Sequence, residues 1–219
     1  MSGPFFDRLS AQDVVSFLKE DENEVLRYLG YSKKDLIFAQ QDKKGIVDDT
    51  TLSLVRSSIS EMRSALKCQG VYTVFDLRLD GNQIEFADIS FESESLSRNL
   101  HGCSKVSLLA ATIGPAVDLL IKRATKLDTA KAAVMQATGA MFIETYVDYL
   151  NEKISQNVAI SGFKTKPRFS PGYGDVPLSI QKDFFRLLPC TQKLGLTLMD
   201  SLIMAPEKSV TAFIGIKSN

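Results

Sequence analysis

The sequence predicts an α+β fold, a single domain over residues 1–219 with a mainly antiparallel sheet. Three observations predict it. Apolar residues recur at helical spacing through most of the first 68 positions. The period then shortens to that of strands in two β-branched and aromatic runs joined by Asp80-Gly81-Asn82, a hairpin signature. Further helical stretches follow, and from Gly195 the sequence returns to two strand-like runs separated by the turn Ala205-Pro206-Glu207-Lys208. The division is a mainly helical part, 1–68, and a core, 69–219.

Each element has a local reason. "SAQDVVSFLKE" opens on a capping Ser10 and sets Val14, Phe17 and Leu18 on one face. "ENEVLRYLGY" continues the helical pattern and stops at Gly30, suited to the position just past a helix end. After the polar "QQDKKG", Leu52, Val55, Ile59, Met62 and Leu66 mark a helix with Asp49 at its start and Lys67 at its end. "VYTVFDLRL" and "QIEFADISF" are the hairpin runs. "SKVSLLAATIG" is apolar enough for a strand buried on both faces, and "PAVDLLIKRATKL" follows as a helix with Pro115 in its first turn. "LSIQKDFFRLL" reads as a short helix carrying Ile180, Phe184 and Leu187 or Leu188.

"DTAKAAVMQATGAMFIETYVDYLNEKISQN" is one long helix capped by Asp128, apolar on nearly every side. Glu144 stands within about 60° of Ala140, Met141 and Val147 around its axis. Two readings are open. Glu144 is a buried carboxylate that needs a partner or ligand, or it joins Asp148 and Glu152 in a solvated ridge beside Lys153.

Bulk properties exclude several functions. Basic and acidic residues balance at 26 each, so no net field recruits nucleic acid or an anionic membrane. No apolar run reaches the ~20 residues of a membrane span, and the polar N-terminus lacks a signal peptide's apolar region. Cys68, Cys103 and Cys190 are widely spaced and read as free thiols in a reducing cytoplasm. With His101 as the only histidine, a metal site of two or three histidines is excluded. Neither a dinucleotide-binding nor a P-loop glycine pattern is present, which argues against an ordinary doubly wound methyltransferase.

The passage "RFSPGYGDVP", 168–177, is the candidate site. Pro167 and Pro171 restrict the backbone, and Gly172 permits positive φ or close approach of a ligand. Tyr173 offers a flat face for a heterocycle, and Arg168 a planar fork for a carboxylate. On the residues alone it is either a Pro-Gly turn with a surface arginine and a core tyrosine, or a loop holding a small molecule with both groups.

Residues 168–177, with the downstream "LGLTLMDSLIMAPEKSVTAFIG", resemble the S-adenosylmethionine-binding activation domain of cobalamin-dependent methionine synthase. The family pattern falls on Arg168, Pro171, Gly172, Tyr173 and Pro177, then on Gly195, Leu196, Leu198, Ser201, Pro206, Ser209 and Val210. "GAMFIETYVDYLNEK" resembles the family's long helix and aligns Glu144 and Asp148; the similarity spans roughly residues 130–219. It implies a twisted sheet flanked by helices and an S-adenosylmethionine site formed by Arg168, Ser170, Pro171, Gly172, Tyr173 and Glu144. Arg168 would meet the carboxylate, Gly172 allow close approach, Tyr173 pack on the nucleoside and Glu144 face the amino group or sulfonium. No residue is assigned a catalytic role.

The implied function is support of reductive remethylation of cobalamin in methionine synthase or a related corrinoid methyltransferase, acting in trans with a flavodoxin-type reductant. The chain would be a component of that enzyme, not a complete one. The alternative is a domain that only senses S-adenosylmethionine. Two departures stand out. The stretch before Arg168, "SGFKTKP", is basic where the family has an acidic contact, and no cobalamin-binding Asp-x-His-x-x-Gly motif is present. Cobalamin would therefore be reached only through a partner protein.

Overall fold

A computed structural model describes residues 4–9, 13, 16, 20–32 and 47–218. The expected helix face Val14, Phe17 and Leu18, its cap Ser10 and the loop "QQDKKG" lie outside the described residues. The chain divides into two compact units. One comprises Met1–Arg8, Gln69–Thr112 and Val147–Asn219; the other, Leu9–Cys68 and Ile113–Tyr146.

The first unit holds the sheet. Its strands are β1 (Phe5–Arg8), β2 (Gln69–Asp80), β3 (Gln83–Phe86), β4 (Ile89–Glu92), β5 (Lys105–Thr112), β6 (Phe163–Thr165) and β9 (Ser209–Ser218). The order is β4-β3-β2-β5-β9-β6, with β1 beside β2, and every neighbouring pair is antiparallel. One edge of β2 serves two strands: Gln69–Tyr72 pair with β1 and Leu77–Asp80 with β3. Strand β5 is buried from Val106 onward, and β9 is buried from Thr211 to Ile216, as expected for strands covered on both faces. The α+β class with an antiparallel sheet is as expected.

Phe213 of β9 organises the core of this unit. The Phe184 ring meets it edge-on at 4.9 Å and the Phe86 ring at 5.8 Å. Burying one such phenylalanine contributes about 1.5–3 kcal/mol, plus a smaller gain from the edge-to-face geometry. Phe184 sits on α6 (Gln181–Leu187), which a 3₁₀ turn at Leu178–Ile180 leads into; Ile180 and Leu188 are buried with it. Another helix of this unit, α3 (Glu94–Leu100), is capped by the Ser93 hydroxyl, which accepts the Leu96 N–H at 3.1 Å. Two-residue strands, β7 (Thr197–Leu198) and β8 (Met204–Ala205), pair with each other before β9 begins.

The second unit is helical: α1 (Glu22–Tyr28), α2 (Asp49–Arg63), α4 (Pro115–Leu127) and the part of α5 (Thr129–Ala159) up to Tyr146. The Gly30 N–H donates to Arg27 and the Tyr31 N–H to Leu26, the paired bonds of a helix closed past its last turn. Asp48 caps α2 through the Thr51 N–H, and Asp128 caps α5 through the Lys131 N–H. Ion pairs Arg56–Glu22 and Arg63–Glu20 tie α2 to the chain around α1, and Lys131–Glu61 ties α5 to α2.

Four expectations need correction. "QIEFADISF" is two strands, because Ala87 takes φ +51° and the chain reverses at Ala87-Asp88. Helix α2 stops at Arg63, where the Ser64 hydroxyl donates to the Glu61 carbonyl; Leu66 and Lys67 lie beyond it. The run after Gly195 is not one strand but the short β7 and β8. Lys153 does not sit with the acidic ridge: its ammonium pairs with Asp7 of β1 at 2.6 Å.

Candidate functional site

The loop 168–177 belongs to the sheet unit and is tied at three places. Phe169 exchanges a pair of backbone hydrogen bonds with Phe213, N–H to carbonyl at 2.9 and 2.7 Å. The Asn99 side chain of α3 donates to the Pro167 carbonyl at 3.2 Å. Asp175 docks on the start of α3. It accepts the Ser93 hydroxyl at 2.5 Å, the Glu94 N–H at 2.6 Å, the Ser95 N–H at 3.1 Å and the Ser95 hydroxyl. The two serine hydroxyls, followed by the backbone donors, hold the Asp175 carboxyl well below the usual carboxylate range.

Between these anchors the backbone closes on itself. The Gly172 N–H donates to Val176, Tyr173 to Ser170 and Val176 to Tyr173, at 3.0, 3.2 and 3.0 Å. Pro171 and Val176 are buried beneath this turn. Gly172 takes φ +85° and Gly174 φ +55°, the left-handed region that side chains resist. Gly174 is also pressed against α3: a Cβ there would lie 2.5 Å from the Ser95 oxygen. The passage is thus a tight turn and a fixed loop at once.

The loop presents two groups outward. Tyr173 is 68% exposed at the tip, with Gly172 exposed beside it. Arg168, at the base, is ion-paired with Asp148 of α5. Ser170 lies partly buried, its carbonyl spent on Tyr173. Glu144 is half-buried on the part of α5 that belongs to the helical unit, where its charge raises the pKa of Tyr28 after the larger effect of burial. Of the acidic ridge, Asp148 and Glu152 are exposed, with Gln156 donating to Glu152 at 3.0 Å.

Sequence reasoning did not find Asp175, nor Ser93 and Ser95 as its partners. A signal was present, since Ser93 precedes Leu96 and Leu100 at helical spacing. Nor did it pair Asp148 with Arg168. The arrangement suits binding: a planar cation, an aromatic face and a backbone open to close approach. Among the described residues no group of His, Cys, Asp or Glu has the arrangement of a metal site, and no helix is long and apolar enough to cross a membrane. Cys68, Cys103 and Cys190 are not joined in disulfides, and His101 is exposed at the end of α3.

No family model matches the chain, and no curated protein matches it. Thirteen chains of solved structures do match. One is the crystal structure of the MetH reactivation domain bound to AdoHcy, with TM-score 0.71 and 16% identity over 97% of this chain and 78% of that one. The chain therefore has the activation-domain fold that its resemblance to methionine synthase implies.

Proposed function

We propose that the chain is a reactivation-type module that binds S-adenosylmethionine at the 168–177 loop. The observation that carries this reading is the match along 97% of the chain to a domain crystallised with AdoHcy, the demethylated form of that ligand. The loop supports it. Tyr173 offers an exposed face for the nucleoside, Gly172 lets the ligand approach the backbone, and Arg168 supplies donors for the carboxylate. Ser170 and Pro171 shape the turn that sets these groups in place.

Bound S-adenosylmethionine supplies an activated methyl group on a cationic sulfur; the protein's share is to hold and orient it. The residues present do not fit cobalamin, since the only histidine, His101, lies outside any Asp-x-His-x-x-Gly sequence. The reading therefore has the corrinoid held outside these residues, on a methionine synthase or related corrinoid methyltransferase in the cytoplasm. A flavodoxin-type protein would be the electron donor.

Calorimetry with S-adenosylmethionine and S-adenosylhomocysteine tests the binding. The wild type binds both, and Arg168→Ala weakens each at least about tenfold, the loss expected for a charged hydrogen bond of 1.5–3 kcal/mol. Glu144→Gln in the same series tests the residue the resemblance adds from α5. Absence of binding by the wild type sinks the reading. Binding without support of reductive remethylation of a corrinoid protein favours the sensor instead.

A further inference from the structure

We infer that Asp175 is the positioning residue of this ligand loop, fixing Gly172 and Tyr173 in their binding conformation by docking the loop on helix α3. The inference rests on the proposed S-adenosylmethionine site and adds to it a residue that touches no ligand. Four donors converge on this one carboxylate, two from serine hydroxyls and two from the backbone at Glu94 and Ser95. Ser93 is 2% exposed, so its hydroxyl is committed both to Asp175 and to the Leu96 N–H. Gly174 belongs to the same device, because only a residue without Cβ lets the chain pass this close to Ser95.

The geometry explains why such a clamp is needed. Tyr173 is exposed at the loop's tip, so packing contributes little to its position. Its place follows from the turn bonds of Gly172 and Val176, and Asp175 sits inside that turn. Upstream, Phe169 is fixed to β9; downstream, the Asp175 carboxylate clamps the turn to α3, and the Ser95 hydroxyl accepts the Asp175 N–H in return. A loop ordered a tenth of the time binds about tenfold more weakly, since the disordered fraction must be reordered first. Ligand and helix α3 are thereby coupled through one carboxylate.

The test compares wild type, Asp175→Asn, Asp175→Ala and Arg168→Ala by calorimetry with S-adenosylhomocysteine and by amide hydrogen exchange of the free proteins. Asparagine keeps one acceptor oxygen and alanine none. The expected order of affinity is wild type, then Asp175→Asn, then Asp175→Ala, with a loss of about tenfold or more for alanine. Faster exchange at the Gly172 and Val176 amides, with β5 and β9 unchanged, accompanies it. Arg168→Ala loses affinity without that change in exchange. Equal affinity in wild type and Asp175→Ala overturns the inference while leaving the site intact. Faster exchange spread through β5 and β9 also overturns it, by showing a general structural role. No binding by any protein, the wild type included, overturns the functional reading and this one with it.

Discussion

Arg168 and Asp148 form an ion pair that joins the base of the loop to helix α5. The same guanidinium is the group proposed to meet a ligand carboxylate, so Asp148 competes for it. Asp148 is 67% exposed and the pair is worth about 0–1 kcal/mol. Asp148→Asn is therefore expected to tighten S-adenosylhomocysteine binding, by up to about fivefold, with little change in melting temperature. Calorimetry checks it; weaker binding would mean that Asp148 positions Arg168 instead of competing for it.

Gly174→Ala forces a Cβ to within 2.5 Å of the Ser95 oxygen at φ +55°. Strain and crowding together are expected to cost about 1–3 kcal/mol. Chemical denaturation measures this, and the altered approach to α3 weakens ligand binding alongside it. An unchanged denaturation midpoint would remove Gly174 from the clamp.

Acid reaches the clamp late. The folded-state pKa of Asp175 is depressed, so its contribution is complete above the ordinary carboxylate range and is lost only as pH falls through the lower folded value. Amide exchange at Gly172 should stay slow at a pH of about 4, where an ordinary aspartate is half protonated. In Asp175→Asn that exchange should be fast at neutral pH already, with no further step on acidification.

Lys153 responds at the opposite end of the scale. Burial lowers its pKa, but the hydrogen bond from its ammonium to Asp7, reinforced by Tyr149, outweighs this and leaves it raised. Its contribution is full below the ordinary lysine value of about 10.4 and declines as pH rises through the folded value. Melting temperature should fall across that alkaline window in the wild type and be flatter in Asp7→Asn. That variant should lose about 1–3 kcal/mol at neutral pH, less than a fully buried pair because Lys153 remains partly exposed.

The thiols should separate by burial. Cys68 and Cys190 are fully enclosed, and burial pushes the Cys190 thiol up to about 12. Cys103 is partly exposed, its thiol also raised mainly by burial. Native protein treated with iodoacetamide at pH 8 should be labelled at Cys103 alone, and slowly. Fast labelling at Cys190, read by peptide mass, would contradict its enclosure.

What was legible in the sequence was local. The caps Asp128 and Gly30, the apolar run of β5 and Pro115 at the head of α4 each act within a few residues, so pattern alone exposes them. The turn in 168–177 was legible for the same reason, since proline and glycine restrict their own backbone. Strand β1 was not, because the four residues Phe5–Arg8 become a strand only by pairing with Gln69–Tyr72. Helix α3 was missed because its seven residues carry just two leucines among polar neighbours. Asp175 was missed because its partners lie some eighty positions earlier, and Asp148 because a charge on a polar helix face reads as solvated until its partner is placed. Tertiary pairing decided each of these.

Strands β5 and β9 lie side by side in the sheet, yet about 110 positions of chain separate the partners Lys105 and Ile216. During synthesis β5 emerges long before the strand that will cover its edge. Its apolar surface and unpaired backbone must wait, exposed to the cell, until Ser209–Ser218 arrives. Translation that stalls before β9 should therefore leave a product prone to aggregate along the open edge of β5.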